Sequence, residues 1–495
     1  MELTKDSIAF HRLIADSWNN YEETTDSIVP DTFPDVRRIA AVYGTAQLKD
    51  DAPQTGRVLI SGTVHMTVLY VPDDGGLRKL DIPISFAHIQ EAEGINEDSR
   101  LFVTCRVVAA DAHIMNSRKI SAVATLSICC RVFCPDSVCL TNGFSQTEQG
   151  LETLSAAHTF TVPVCVHRRE FTLMDDVPLP DSERYAMLCA PRAEMRPADF
   201  RLMNGKAVLK GDIALHLLAV TKENTLENAD CVLPFTQIFE VDGMTEQQQI
   251  SICFSIRHID AELRDDGTAA IGLGTCVFMT AYETHTVQLI EDVYHLSHPI
   301  HTETQTVCIP ASHPMSEIGC EASETIPVGM KIAQIADTSA VLDTLIRDAN
   351  RSILRMMVCI VYRSDDGEYY AVHRAVQMPL SLPEDAQQVR VNMLQCRASA
   401  TISGEDSVLL SLSGRCSLLC DEPLHINDLS SIVIEDGPAA SCAPVSVILR
   451  HADAGERLWD IAKSYRTTVE AIRQANQLSA EHLNTHAQML LIPVW

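Results

Sequence analysis

Shifted by 149 positions, the chain matches itself without a gap from Gly62 to Ala112. Gly62 falls on Gly211, Asp81 on Asp230, Phe86 on Phe235, Ile89 on Ile238, Glu91 on Glu240, Gly94 on Gly243 and Asp111-Ala112 on Asp260-Ala261. Twelve of these fifty-one positions are identical, against roughly three for unrelated sequences of ordinary composition. A third, more diverged copy starts near Ile326. There ILRMMVCIVYRSDDG aligns with ISGTVHMTVLYVPDDGG, placing Tyr362 over Tyr70, and ASATISGEDSV lies over AADAHIMNSRKI at a slightly different offset. A repeat of this kind restricts the chain to a tripled body plus a tail, and 495 residues are in any case too many for a single core.

Within each copy the apolar residues alternate. In RVLISGTVHMTVLYV, Val58, Ile60, Gly62, Val64, Met66 and Val68 share one face, while Leu59, Ser61, Thr63, His65 and Thr67 share the other, the pattern of a half-buried strand. The turn signal PDDGG and the strand-like runs LDIPISFAHI, LFVTCRVVAADAHI and KISAVATLSICCRVF follow, predicting antiparallel sheets packed as sandwiches. Pro30 and Pro34 predict an extended entry into the first copy, turning into a short helix over Val36–Ala41. The stretches MDDVPLPDSERY and SHPMSEIGCEASETIPVG, rich in proline, serine and acidic residues, read as connections between copies. The expected division is an N-terminal segment over 1–25, β repeats over 26–165, 166–318 and 319–440, and a tail over 445–495.

The formal net charge of -28 repels phosphate backbones and anionic headgroups, so nucleic acid is not an expected partner. The opening MELTKDSIAFHRLIADSW lacks the basic region and apolar run of a secretory signal, and no later stretch is long and apolar enough to span a bilayer. The expected setting is cytoplasmic, without membrane insertion. Seventeen irregularly spaced cysteines fit a reducing compartment and buried thiols rather than a disulfide framework.

SIVPDTFPDVRRIA, the VLISGTVHMTVLY strand and the NSRKI segment resemble the SPOCS repeat of SipL-type proteins of endospore-forming bacteria, in which such repeats precede a LysM domain. The second copy departs from the pattern, with DDGTA where NSRKI stands. The resemblance implies a role in spore coat assembly on the mother-cell side, at the forming coat, through binding a coat morphogenetic ATPase.

The tail resembles a LysM module, a βααβ unit. SVILRH supplies a first strand and MLLIPVW a last one, and Leu458, Ile461, Ala462 and Tyr465 recur at helical spacing. Thr467 and Glu470 have capping-box spacing for a second helix, which ends at the family's asparagine, here Asn476. The fold class expected is therefore mainly β: three repeated β-sandwich-like modules followed by a small βααβ domain.

LysM modules bind N-acetylglucosamine-containing glycans through two loops, which the resemblance places at Gly455, Glu456 and Arg457 and at Leu478, Ser479, Ala487 and Gln488. Both loops depart from the family. Glu456-Arg457 replaces Asp-Thr, removing a hydroxyl N-cap, and Ala487 replaces a glycine. The readings left open are a peptidoglycan or chitin-like glycan, a protein docked on the same surface, and a purely structural domain. Trp459, inside the first helix, reads as a packed aromatic rather than a sugar platform.

Enzymatic motifs are missing: the chain has no GxxxxGK[ST], HExxH or GxSxG. His295, His298 and His301 are spaced to alternate faces of a strand, and Cys129, Cys130, Cys134 and Cys139 include no Cys-x-x-Cys pair. Asp73-Asp74 and Asp365-Asp366 precede glycine in turns. No enzyme, cofactor or metal is expected.

Overall fold

The structure is a computed structural model describing residues 2–146, 148–203, 205–348, 351–383, 388–435, 446–478 and 487–494. Three β modules and a small βααβ tail make up the chain, in agreement with the fold class read from sequence.

Module one contains β1 (Leu3–Ile28), β2 (Val36–Gln54), β3 (Arg57–Pro72), β4 (Arg78–Glu91), β5 (Arg100–Asn116) and β6 (Lys119–Phe144). Its two antiparallel sheets have strand orders β2-β3-β4 and β1-β6-β5. Between them lies a core of Val58, Ile60, Val64, Met66 and Val68, the predicted inner face of β3, packed with Ile82, Ile84 and Phe86 from β4 and Ile120, Ala122, Leu126 and Ile128 from β6. Each such fully buried aliphatic side chain contributes about 1.5–3 kcal/mol.

Module two repeats the plan with β7 (Leu151–Pro178), β8 (Tyr185–Met203), β9 (Lys206–Thr221), β10 (Leu226–Asn228), β11 (Cys231–Glu240), β12 (Gln249–Leu263) and β13 (Thr268–His295). One sheet centres on β9, the other runs β12-β13-β7. Module three comprises β14 (Ile300–Ile309), β15 (Ser312–Pro314), β16 (Ile318–Pro327), β17 (Ile332–Asp348), β18 (Arg351–Ser364), β19 (Tyr369–Leu380), β20 (Val389–Ile402), β21 (Ser407–Asp421) and β22 (Leu424–Ile434). Its sheets are β17-β18-β19 and one centred on β21, with β14 paired to β22.

The first strand of each module returns to pair with its last: β1 with β6, β7 with β13, and β14 to β16 with β21 and β22. The pairing therefore groups residues 3–144, 151–295 and 300–434. The divisions expected at 25/26, 165/166 and 318/319 fall inside β1, β7 and β16. Polar composition misled there because the outer ends of these strands are solvated: Met174 to Pro178 belongs to β7, and SHP and IGCEASETIP are β15 and β16. The short helix expected over Val36–Ala41 is the start of β2. Register shifts at Val36/Arg38 and Ile39/Ala41 break the alternation and bury consecutive residues Ala40 to Tyr43, an apolar run that mimics a helix.

Repeat identities explain local geometry. Gly62 faces Phe86 across β3–β4, and Gly211 faces Phe235 across β9–β11. A Cβ on Gly62 would sit 2.3 Å from the Gln47 carbonyl oxygen and 2.5 Å from the Phe86 ring, so the aromatic ring fills the space the glycine leaves. In module three the equivalent cross-strand pair is Leu354 with Met378, both fully buried.

The modules meet around a common centre. Leu69 and Val71 of β3, Leu218 and Val220 of β9, and Val361 of β18 form one buried cluster with Ala40, Ala41, Cys189, Ala190 and Ala336. Beside it, Arg192 of module two makes a bidentate ion pair with the buried carboxylate of Asp337 in module three, at 2.8 and 2.7 Å, and buried Tyr43 adds module one. Asp51 of module one accepts from Arg168 (2.8 Å) and Arg257 (3.1 Å) of module two. Its counterpart in module three, Asp343, accepts from Asn20 of module one at 2.6 Å. Past the sandwiches, the long strands β1–β6, β7–β13 and β14–β22 converge on a second three-module cluster that includes Ile8, Phe10, Leu140, Phe160, Leu289, Ile309 and Ile426.

Candidate functional site

The tail folds as β23 (Val447–Ala452), α1 (Leu458–Tyr465), α2 (Val469–Asn476) and β24 (Gln488–Pro493), with β23 and β24 antiparallel. Leu458, Ile461 and Ala462 of α1 and Ile472 of α2 pack on Leu490 and Ile492 of β24, as the helical spacing predicts. Asn476 fastens the second helix to the sheet: its side-chain amide donates to the carbonyls of Ile472 (2.8 Å) and Leu491 (2.6 Å), and its oxygen accepts from the Leu491 N–H (2.7 Å).

The cap of α2 is Thr468, whose hydroxyl accepts from the Ala471 N–H at 3.0 Å. Thr467, expected in that role, lies one residue too early. It is fully buried, and Glu470 pairs instead with Arg473 and Gln474. Helix α1 has Arg457 at its N-cap with no side-chain cap bond, as the loss of the hydroxyl implies. Burial of Leu458 and Trp459 anchors that first turn.

The module sits on the end of β13. Trp459 Nε1 donates to Asp292 Oδ2 at 2.8 Å, Lys463 Nζ reaches the same carboxylate at 2.7 and 2.8 Å, and Tyr294 OH donates to the Thr467 carbonyl at 2.7 Å. The Tyr294 and Trp459 rings meet edge-on at 4.8 Å, with Leu154 and Leu296 completing the contact. Trp459 is thus packed and only 7% exposed. Burial pushes the Asp292 carboxyl up, and the bonds from Lys463 and Trp459 outweigh it, leaving its pKa below the ordinary value.

Of the loop residues expected to bind a partner, Gly455 and Arg457 are exposed and Glu456 is half-buried. Gly455 has φ of +78°, where its lack of a Cβ matters. Glu456 accepts from Arg450 at 2.6 Å and from the Asp453 N–H at 3.2 Å, and Arg457 lies 3.9 Å from Glu291 of β13. Gln488 pairs with Ala452, so Gly455–Arg457 and Ala487–Gln488 share one end of the sheet. Ala487 is exposed and is not among the positive-φ residues. Leu478 is half-buried against the module core, and Ser479 lies outside the described residues. The outer face of the sheet carries Val447, Leu449, Met489 and Leu491, 43–61% exposed, with Leu449 and Leu491 directly opposed.

Sequence reasoning missed the seat. Asp292 and Tyr294 have Gly143 and Ser145 as their equivalents in module one, and this divergence between otherwise matching copies was the available signal. The three histidines do not converge on one point: the His295 and His298 rings meet at 4.9 Å, but His301 is exposed on β14, and His295 Nδ1 accepts from the N–H groups of Ser297 and His298, both at 3.0 Å. Cys129, Cys130 and Cys134 are buried and Cys139 is exposed, and these four are free thiols. One group of potential metal donors, His313, Cys420 and Glu422, does fall within 4.8 Å. Its members come from β15, the end of β21 and the residue just after it, so no local motif announces it. Asp366 Oδ1 accepts from the Glu368 N–H at 2.8 Å, the turn role read for it.

Residues 454–493 match the LysM domain family, and residues 35–115 match the family described as SipL, SPOCS domain. No curated protein and no solved structure gave a significant match. The fold and the matches define a multi-module β protein that ends in a binding domain. A SPOCS domain followed by a C-terminal LysM domain is the arrangement expected from the resemblance to SipL-type proteins. Among the described residues no helix is long and apolar enough to cross a membrane.

Two of the three stretches that carried the SPOCS resemblance are joined by one residue. Arg118 of NSRKI donates to the carbonyls of Phe33 (2.7 Å), Val29 (3.0 Å) and Pro30 (2.8 Å) and to Asp35 (3.1 Å), holding the VPDTFPD turn closed.

Proposed function

We propose that the protein is a non-enzymatic scaffold in spore coat assembly, working in the mother-cell cytoplasm at the forming coat, and that its LysM module docks a coat morphogenetic ATPase. The observation that carries this reading is the outer sheet face of the module. Four large apolar side chains stand exposed there while the opposite side is fixed to β13. A contiguous apolar strip favours a protein partner, whereas a glycan needs polar groups placed at each hydroxyl. Peptidoglycan binding is the second reading, supported by the LysM match and by the exposed Gly455–Arg457 loop.

The test uses the full chain with Leu449→Glu and Leu491→Glu. Loss of ATPase capture in a pull-down, with no sedimentation on purified peptidoglycan by the wild type, is the expected result. Unchanged capture by the variant, or sedimentation that Gly455→Val abolishes, overturns it. Fluorescent tagging during sporulation gives the cellular counterpart: a shell around the forespore is expected, and labelling of the cell wall contradicts it.

A further inference from the structure

Where modules two and three face each other, and reaching inward to module one, lies a cavity of about 900 Å³, within the size range of small-molecule sites. Phe102 of β5, Phe254 of β12 and Met393 of β20 contribute apolar wall. Its charged lining is mostly paired: Arg192 with Asp337 at 2.7 Å, Arg196 with Glu194 at 2.5 Å, and His216 with Asp230 at 3.0 Å.

Two cations remain. Arg397 is exposed, and no carboxylate or hydrogen-bond partner is described for it. Arg106 is half-buried, and its described partner is the Trp18 ring, 5.8 Å from the guanidinium carbon. Neither a hydrogen bond nor a carboxylate partner is described for Arg106, and burial pushes its pKa down. A cation half-buried without an anion is poorly compensated, and this one lines a space large enough for a ligand. The walls thus carry surplus positive charge inside a chain whose net charge is -28.

We propose that this cavity binds a small organic anion, a carboxylate, sulfonate or phosphate head on an apolar body, with the head on Arg106 and the body against Phe102, Phe254 and Met393. The guanidinium offers a charge-assisted fork that a neutral head cannot use, and the aromatic and methionine walls take the apolar part. Binding at this point touches all three modules at once and does not involve the C-terminal module.

The test titrates the full-length protein with 8-anilinonaphthalene-1-sulfonate, an amphipathic monoanion, and follows its fluorescence. Saturable binding of one equivalent is expected, weakened about 10-fold or more by Arg106→Gln, as loss of a charge-assisted hydrogen bond predicts, and little changed by Arg397→Gln at the rim. A second measurement needs no variant: octanoate displaces the probe from the wild-type protein, and octanol at equal concentration does not. No saturable component, equal affinity in Arg106→Gln, or equal displacement by octanol overturns the proposal.

Discussion

Replacing Asp337 with alanine tests how the three modules are held together. The carboxylate is 3% exposed and receives two charge-assisted bonds from Arg192, at 2.8 and 2.7 Å. Burial alone lowers the Arg192 pKa, and Asp337 more than reverses it, so the guanidinium is held charged at the centre. Asp337→Ala leaves that charge beside Tyr43 and the Leu69, Leu218 and Val361 cluster. Breaking one side of such a buried pair costs about 3–5 kcal/mol, a large share of the ~5–15 kcal/mol typical of a folded domain. Removing both charges, in Arg192→Met with Asp337→Leu, is expected to be close to neutral, since the desolvation cost disappears with the attraction. Urea unfolding followed by far-ultraviolet circular dichroism reports the midpoint. Trp18, packed against the core of module three, reports separation of modules one and three. Should Asp337→Ala unfold within about 1 kcal/mol of wild type, or the double variant be as unstable as the single one, the centre is not held as described.

Asp292→Ala frees the C-terminal module from its seat, and Trp459 emission shifts to the red. Because the seated Asp292 pKa lies below its ordinary 3.8, the contact is complete above that value and is lost as pH falls through the depressed one, so wild-type emission stays blue from pH 7 to about 5 and reddens only below about 4. Thr468→Ala removes the cap of α2 and lowers the stability of the tail by about 1 kcal/mol, whereas Thr467→Val, at a buried hydroxyl with no described partner, leaves thermal unfolding unchanged or raises its midpoint. Gly62→Ala overpacks module one and destabilises it by about 1–3 kcal/mol in urea; adding Phe86→Met, the residue module three uses opposite Leu354, recovers part of that loss.

The repeat offset and the strand alternation were legible because each is a local pattern. Val58 to Val68 face the core as their spacing demands, and Gly62 with Phe86 recurs as Gly211 with Phe235 since the pair is a single steric unit. Strand ends were less legible. Residues such as Met174 and Asp175 look like linker because both faces of an outer strand end are wet, and only pairing with β13 makes them strand. The tail helices followed from spacing and their asparagine from the LysM resemblance, yet the position of the cap was misread by one residue because Thr467 and Thr468 are chemically alike. The seat on β13 left only one trace, the divergence of Asp292 and Tyr294 from Gly143 and Ser145: Asp292 and Trp459 are 167 residues apart, and no periodicity links them. Ile89 and Ile238 are identical between copies yet 49% and 63% exposed, and nothing in the structure explains them.

The strands that close the second three-module cluster also set an order of events at the ribosome. Phe10 is made well ahead of its neighbours Ile309 and Ile426, which arrive only with module three. A nascent chain that stops after His295 therefore displays unfinished apolar rows from its first two blades, and another molecule's third blade is the surface that matches them. Truncation there is expected to yield exchanged oligomers rather than a smaller monomer.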